Sequence, residues 1–206
     1  MTTMDLETPI ETSRARRLRA ATNETHERLD ETIMDGRPFA NRDRYGLFVQ
    51  VQFLFHRDID ALYAHAELDR WLPDLAGRRR LPLITQDLDD LGVAVPQADT
   101  APAFAAGSDV DVAAALGWLY VAEGSSLGAA FLLKEAEKLG LSERFGARHL
   151  AAAPEGRGRH WKIFTAALDA VALSEQEDAR AIAGAAAAFA RVQGLANRIL
   201  LSQPSA

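Results

Sequence analysis

The stretch YVAEGSSLGAAFLLK, Tyr120 to Lys134, reads as a helix, yet it carries glycine at Gly124 and again at Gly128. Each glycine inside a helix costs about 1 kcal/mol relative to alanine, and the chain uses alanine freely elsewhere. At about 100° per residue, Gly117, Gly124 and Gly128 fall within roughly 40° of one another around the helix axis. The three therefore share a face without side chains. Such a face suits either a notch where another helix crosses or the close approach of a flat ligand to the backbone. Ser125 and Ser126, set between the last two glycines, weaken the helix further and favour a kink. A packing notch does not require that.

Outward from this stretch the periodicity is helical almost everywhere. A first helix is expected from about Thr12 to Met34, ended by Gly36 and Pro38, and a second from about Arg42 to Glu67 behind an Asn41 cap. The second carries Phe48, Val51, Phe55, Ile59 and Leu62 as an apolar stripe. A short helix over Thr85 to Leu91 follows. The glycine-bearing helix is expected to start at Ser108 or Asp109 and to end near Gly140. The segment HWKIFTAALDAVAL resumes helical period, and Ser174 with Glu177 has the capping-box spacing for a final helix to about Leu201. No strand-like alternation and no fixed-period repeat is found. The expected fold is all-α: an irregular helical bundle around one core, a single domain over 1–206 with a flexible 1–12.

Composition narrows the chemistry. With 206 residues, 48% hydrophobic and 25% charged, the chain has material for a substantial core. It contains no cysteine, which excludes disulfides, thiolate metal sites and a cysteine nucleophile. A net charge of -6 argues against a nucleic-acid partner. No apolar run approaches the ~18 residues of a membrane span, and the N-terminal segment lacks the apolar stretch of a signal peptide. A cytoplasmic protein without a membrane partner, and a monomer, is expected.

Of the five histidines, His26 stands out, in the middle of the amphipathic run RLRAATNETHERLDE with Arg19 seven residues before it. Seven residues cover about 10.5 Å along one helix face. That distance suits an iron ligand and a group pairing with a haem propionate. A solvated or structural histidine remains the alternative on spacing alone.

Taken together, ATNETHERLD, VQFLFHRDIDALY, ALGWLYVAEGSSLGAAFLLK and FGARHL resemble the bacterial haem oxygenases, in particular the branch of pseudomonads, neisserias and bacteriophytochrome-bearing bacteria. The resemblance runs from about Leu18 to near the C-terminus. It implies haem b held as both cofactor and substrate between a proximal helix with an axial histidine and a kinked, glycine-rich distal helix. The products would be biliverdin, CO and ferrous iron, with O2 and an external electron donor of the ferredoxin and NADPH-ferredoxin reductase type consumed. Residue by residue, His26 matches the axial ligand, and Gly124 and Gly128 match the glycines against the haem face, with Ser125 between them at the haem. Gln52 and His56 match positions that anchor ordered water near the distal pocket, a route for protons. Ser126 departs from the asparagine or lysine common in relatives, a change expected to affect only the outer side.

The resemblance also bears on which meso carbon is cut, because the groups that hold the propionates set the rotation of the haem. Arg19 and Tyr120 occupy the neisserial propionate-binding positions. In the pseudomonad type that gives β and δ isomers, two lysines do this, and their positions here are Met34 and Glu135. Cleavage at the α-meso carbon to biliverdin IXα is therefore expected. Asp30, one turn after His26, is a candidate partner for its second nitrogen. Phe131 and Phe189 are candidate walls, and the run Arg78, Arg79, Arg80 is a candidate dock for an acidic donor. Two rival readings are a haem carrier or sensor without turnover, and a helical interaction module that takes up no haem.

Overall fold

Helix ends fall where the sequence supplies caps, in a computed structural model that describes residues 13–98 and 100–202. α1 (Arg14–Asp35) begins where the Ser13 side chain accepts from the Arg16 amide, and α2 (Arg42–Ile59) where Asn41 accepts from Arg44. α7 (Glu175–Ala196) opens on the complete capping box of Ser174 and Glu177. Each such cap contributes about 1 kcal/mol. Between them lie α3 (Ala66–Trp71), α4 (Leu81–Leu91), α5 (Val112–Lys138) and α6 (Arg157–Ala170). Among the described residues there is no strand, only isolated bridges from Ser142 to Phe145 and Gly146. The fold is all-α, as expected. The flexible segment expected over 1–12 lies outside the described residues.

The structure differs from the sequence expectation at several boundaries, each for a local reason. The second helix stops at Ile59 and continues as a 3-10 turn, Asp60–Ala64, before α3. A 3-10 turn keeps apolar residues three apart, so the stripe does not betray the break. α4 starts four residues earlier than expected because Pro82 sits in its first turn, where a missing N–H costs nothing. α5 is capped by Asp111 rather than Ser108 or Asp109. At the chain's end α7 runs on into a π-helical turn, Asn197–Leu201.

α7 is the hub: α5 and α1 both pack along it, α6 bridges α5 and α1, and α2 pairs with α4. The α5–α7 crossing is close because two glycines interlock. A Cβ on Gly117 would overlap the Ala181 carbonyl, and one on Gly184 would overlap that of Ala114. α5 is long and apolar enough to pass for a membrane span, contrary to the expectation that no run comes near, but 56% of that window is buried inside the fold. Leu116, Leu119 and Ala115 on it are fully buried. It is the core helix on which the site is built.

A candidate haem site between α1 and α5

Gly124 and Gly128 do not share the neighbours of Gly117. A Cβ at Gly124 would meet only the Trp161 ring, at 3.6 Å, and one at Gly128 would meet nothing within 4 Å. The notch reading therefore holds for Gly117 and fails for the other two. Where the pair lies, Ser125 and Ser126 turn their hydroxyls back to the Ala122 and Glu123 carbonyls, both at 2.7 Å, the bonding that bends helices.

A buried ion cluster holds this weakened stretch in place. Glu123 accepts from Arg78 at 2.8 Å, and both side chains are almost wholly enclosed. Arg78 also donates to the Pro73 carbonyl and lies over the Phe164 ring. His160 Nε2 stands 3.4 Å from the same Glu123 oxygen while its Nδ1 meets Glu155 at 2.6 Å, and these carboxylates raise its pKa. From α6, Arg157 donates to the Ser126 carbonyl at 3.0 Å. The GRRR run is thus largely committed to the fold. Arg79 forks onto Asp60 at 2.6 and 2.7 Å, and Arg80 donates to the His149 carbonyl at 2.7 Å. Removing Glu123 would leave Arg78 buried and unpaired. We expect Glu123→Ala to lose about 3–5 kcal/mol in urea unfolding. A loss below about 1 kcal/mol would show that Arg78 relaxes to solvent.

On the other side, α1 presents His26. It is more than half exposed, its Nδ1 lies 3.2 Å from Asp30 Oδ2, and its ring packs edge-on to Phe189 of α7 at 5.7 Å. An Nδ1 that faces a carboxylate carries the hydrogen, which leaves the Nε2 lone pair to ligate. α1 and α5 both pack on α7 but not closely on each other. One pair links them electrostatically: burial raises the Tyr120 phenol pKa, and the Arg19 charge opposes that rise. Arg19 has no carboxylate partner among the described residues. Tyr120, Gly124 and Gly128 are spaced four apart and share one face of α5, and Arg19 and His26, spaced seven apart, share one face of α1. Phe131 is exposed and Phe189 buried.

Behind α5 lies a chamber of about 40 Å³, lined by Gln52, His56, Arg80, Ser125, Ser126 and His149 among others. It brings the two water-anchoring candidates of α2 against the serines of α5. Ser126 is buried here, not on the outer side as expected. His56 Nδ1 is enclosed without a hydrogen-bond partner among the described residues. Burial, then the charge of Arg80, lowers its pKa to about 3. A histidine kept neutral in the fold binds fewer protons than the unfolded chain once pH drops below about 6.5, so stability is full above that value and falls as pH descends toward 3. From pH 7 to pH 5 the wild type should lose about 2 kcal/mol more than His56→Gln in urea unfolding. His160, whose raised pKa acts in the opposite sense, is common to both proteins and cancels. Equal losses would mean that His56 is protonated in the fold.

His149 was the residue the sequence concealed. It lay in plain view inside FGARHL, but no periodicity marks a histidine on a 3-10 turn as facing a chamber between distant helices.

A helical fold with a bare stripe on one helix, an exposed imidazole on another and a polar chamber beside the first is a scaffold suited to a flat, iron-bearing ligand. A family model described as Heme oxygenase matches residues 12–197, and the chain belongs to that family. It is 45% identical to Heme oxygenase PigA of Pseudomonas aeruginosa, over 96% of this chain and 98% of that one. A solved structure, the NO- and CO-bound heme oxygenase from Neisseria meningitidis, superposes with a TM-score of 0.86 at 39% identity, covering 95% of this chain and 96% of that one. The chain is a haem oxygenase, an enzyme that uses O2 and reductant to open haem to biliverdin.

Proposed function

We propose that His26 would ligate the haem iron, that Gly124, Ser125 and Gly128 would form the wall against the haem, and that the ring is opened at the α-meso carbon to give biliverdin IXα. When bound, haem supplies the iron that activates O2. The chain's own part is to hold and aim it. Asp30 keeps the His26 ring turned with Nε2 outward. The bare stripe of α5 admits the porphyrin to backbone distance. Gln52 and His56 hold chamber water behind it, and a neutral His56 accepts a hydrogen bond without adding a charge.

The single observation that carries the isomer is Arg19, without a carboxylate partner among the described residues and within electrostatic reach of Tyr120. A guanidinium fork and a phenol can both bond to a carboxylate. At the alternative positions Met34 is exposed and apolar, and Glu135 is itself acidic and engaged with Lys138 at 2.5 Å. A propionate beside Glu135 would be repelled. Chromatography of the product should show the IXα isomer from the wild type and a mixture from Arg19→Ala. Mainly β or δ product from the wild type would refute the assignment.

We also propose an external one-electron donor of the ferredoxin and reductase kind, serving a monomer in the cytoplasm. Without cysteine the chain has no cluster or thiol of its own to store electrons. Because Arg78 to Arg80 are engaged with partners inside the chain, the proposal puts the donor's dock elsewhere than that run. Ferredoxin with its reductase should support turnover, and Arg79→Ala should leave that rate unchanged. Size-exclusion chromatography checks the monomer.

A further inference from the structure

We propose that His149, held by Asp87, fixes the orientation of the chamber water and is thereby a positioning residue for proton supply to the distal face. This rests on haem lying against Gly124 and Gly128.

Asp87 is fully buried on α4. Its carboxylate accepts from the backbone amides of Arg148 and His149, each at 2.9 Å, and one of its oxygens lies 2.7 Å from His149 Nδ1. The Arg148 guanidinium lies 3.3 Å from the same carboxylate. A carboxylate accepts, so in the neutral imidazole Nδ1 carries the hydrogen and Nε2 keeps the lone pair. That nitrogen is buried and has no hydrogen-bond partner among the described residues. The residue lines the chamber together with Gln52, His56, Ser125 and Ser126.

A volume of about 40 Å³ has room for one to three waters. Two enclosed nitrogens without hydrogen-bond partners among the described residues, His149 Nε2 and His56 Nδ1, border it or its lining residues. Buried polar atoms in that situation are satisfied by water. A water that donates one hydrogen to His149 Nε2 has its other hydrogen and its lone pairs directed to the rest of the wall, formed by α2 and the α5 serines. Asp87 thus sets the polarity of the water through the imidazole, as a carboxylate does behind a metal-bound histidine. The amides and Arg148 already tie the turn to α4, so the outer nitrogen is free for this second role.

Two amide substitutions separate positioning from structure. In His149→Gln the carboxamide reaches the place of Nε2 and can offer an acceptor to the chamber. In His149→Asn it reaches only the place of Nδ1 and can bond Asp87 alone. Haem cleavage should fall about tenfold in His149→Asn and stay near wild type in His149→Gln, with a larger solvent isotope effect in the first. Hemin affinity should be unchanged in both, which reports haem placement separately. In the wild-type apoprotein, nitrogen NMR should find His149 protonated at Nδ1 and bare at Nε2. A slow Gln variant, a fast Asn variant, or equal rates in the two would overturn the proposal. So would a protonated Nε2, a result that decides the matter even if the Asn variant fails to fold.

Discussion

His26→Ala is expected to remain folded, to lose the nitrogen ligand to haem iron, and to lose haem cleavage by at least ~100-fold. The fold should survive because the side chain is 57% exposed and contributes one solvent-facing pairing with Asp30 and one ring contact with Phe189. Exposed pairings of this kind contribute about 0–1 kcal/mol. Its chemistry is not so dispensable. With Arg19 and Tyr120 holding a propionate as proposed, hemin should bind more weakly but not be excluded. The optical spectrum would then report a lost imidazole, and free imidazole added to the variant should restore it in part. Asp30→Asn tests the support behind the ligand: with a partner that no longer demands a hydrogen from Nδ1, the change should be milder. Unchanged spectra in His26→Ala would remove His26 from the iron.

How much of this was legible in the sequence depended on whether the cause was local. Caps are local, and Asn41, Ser174 and Glu177 act where they were read. Breaks that preserve spacing are not visible, which is why the turn after Ile59 was missed. Burial of charge is a tertiary outcome. The run from Arg78 to Arg80 reads as a solvated basic patch until Glu123, Asp60 and the His149 carbonyl arrive from elsewhere in the chain to absorb it. The same holds for the chamber, whose walls come from α2, α5 and the turn at His149. The resemblance placed Gln52 and His56 beside it; nothing in the spacing pointed to Asp87.

The glycine stripe shows the limit of periodicity most clearly, and it sets up the second large effect. A 100° rotation puts Gly117, Gly124 and Gly128 on one face, but the face passes from a helix crossing into open space within three turns. Substitution should therefore have opposite consequences along it. In Gly117→Ala the new methyl meets the fixed backbone of α7, and overpacking of about 1–3 kcal/mol outweighs the gain in helix propensity of about 1 kcal/mol. In Gly128→Ala nothing opposes that gain, so urea unfolding should show a protein more stable by about 0.5–1 kcal/mol. Hemin titration should reverse the order. Gly117→Ala, far from the bare end, should bind hemin as the wild type does. Gly128→Leu should bind about tenfold to a hundredfold more weakly, because its side chain fills the space that haem needs. If Gly128→Leu bound hemin normally, the bare face would not be the haem wall. If Gly117→Ala were as stable as the wild type, α7 would have to yield at Ala181, and the close crossing would not be what holds α5 in place.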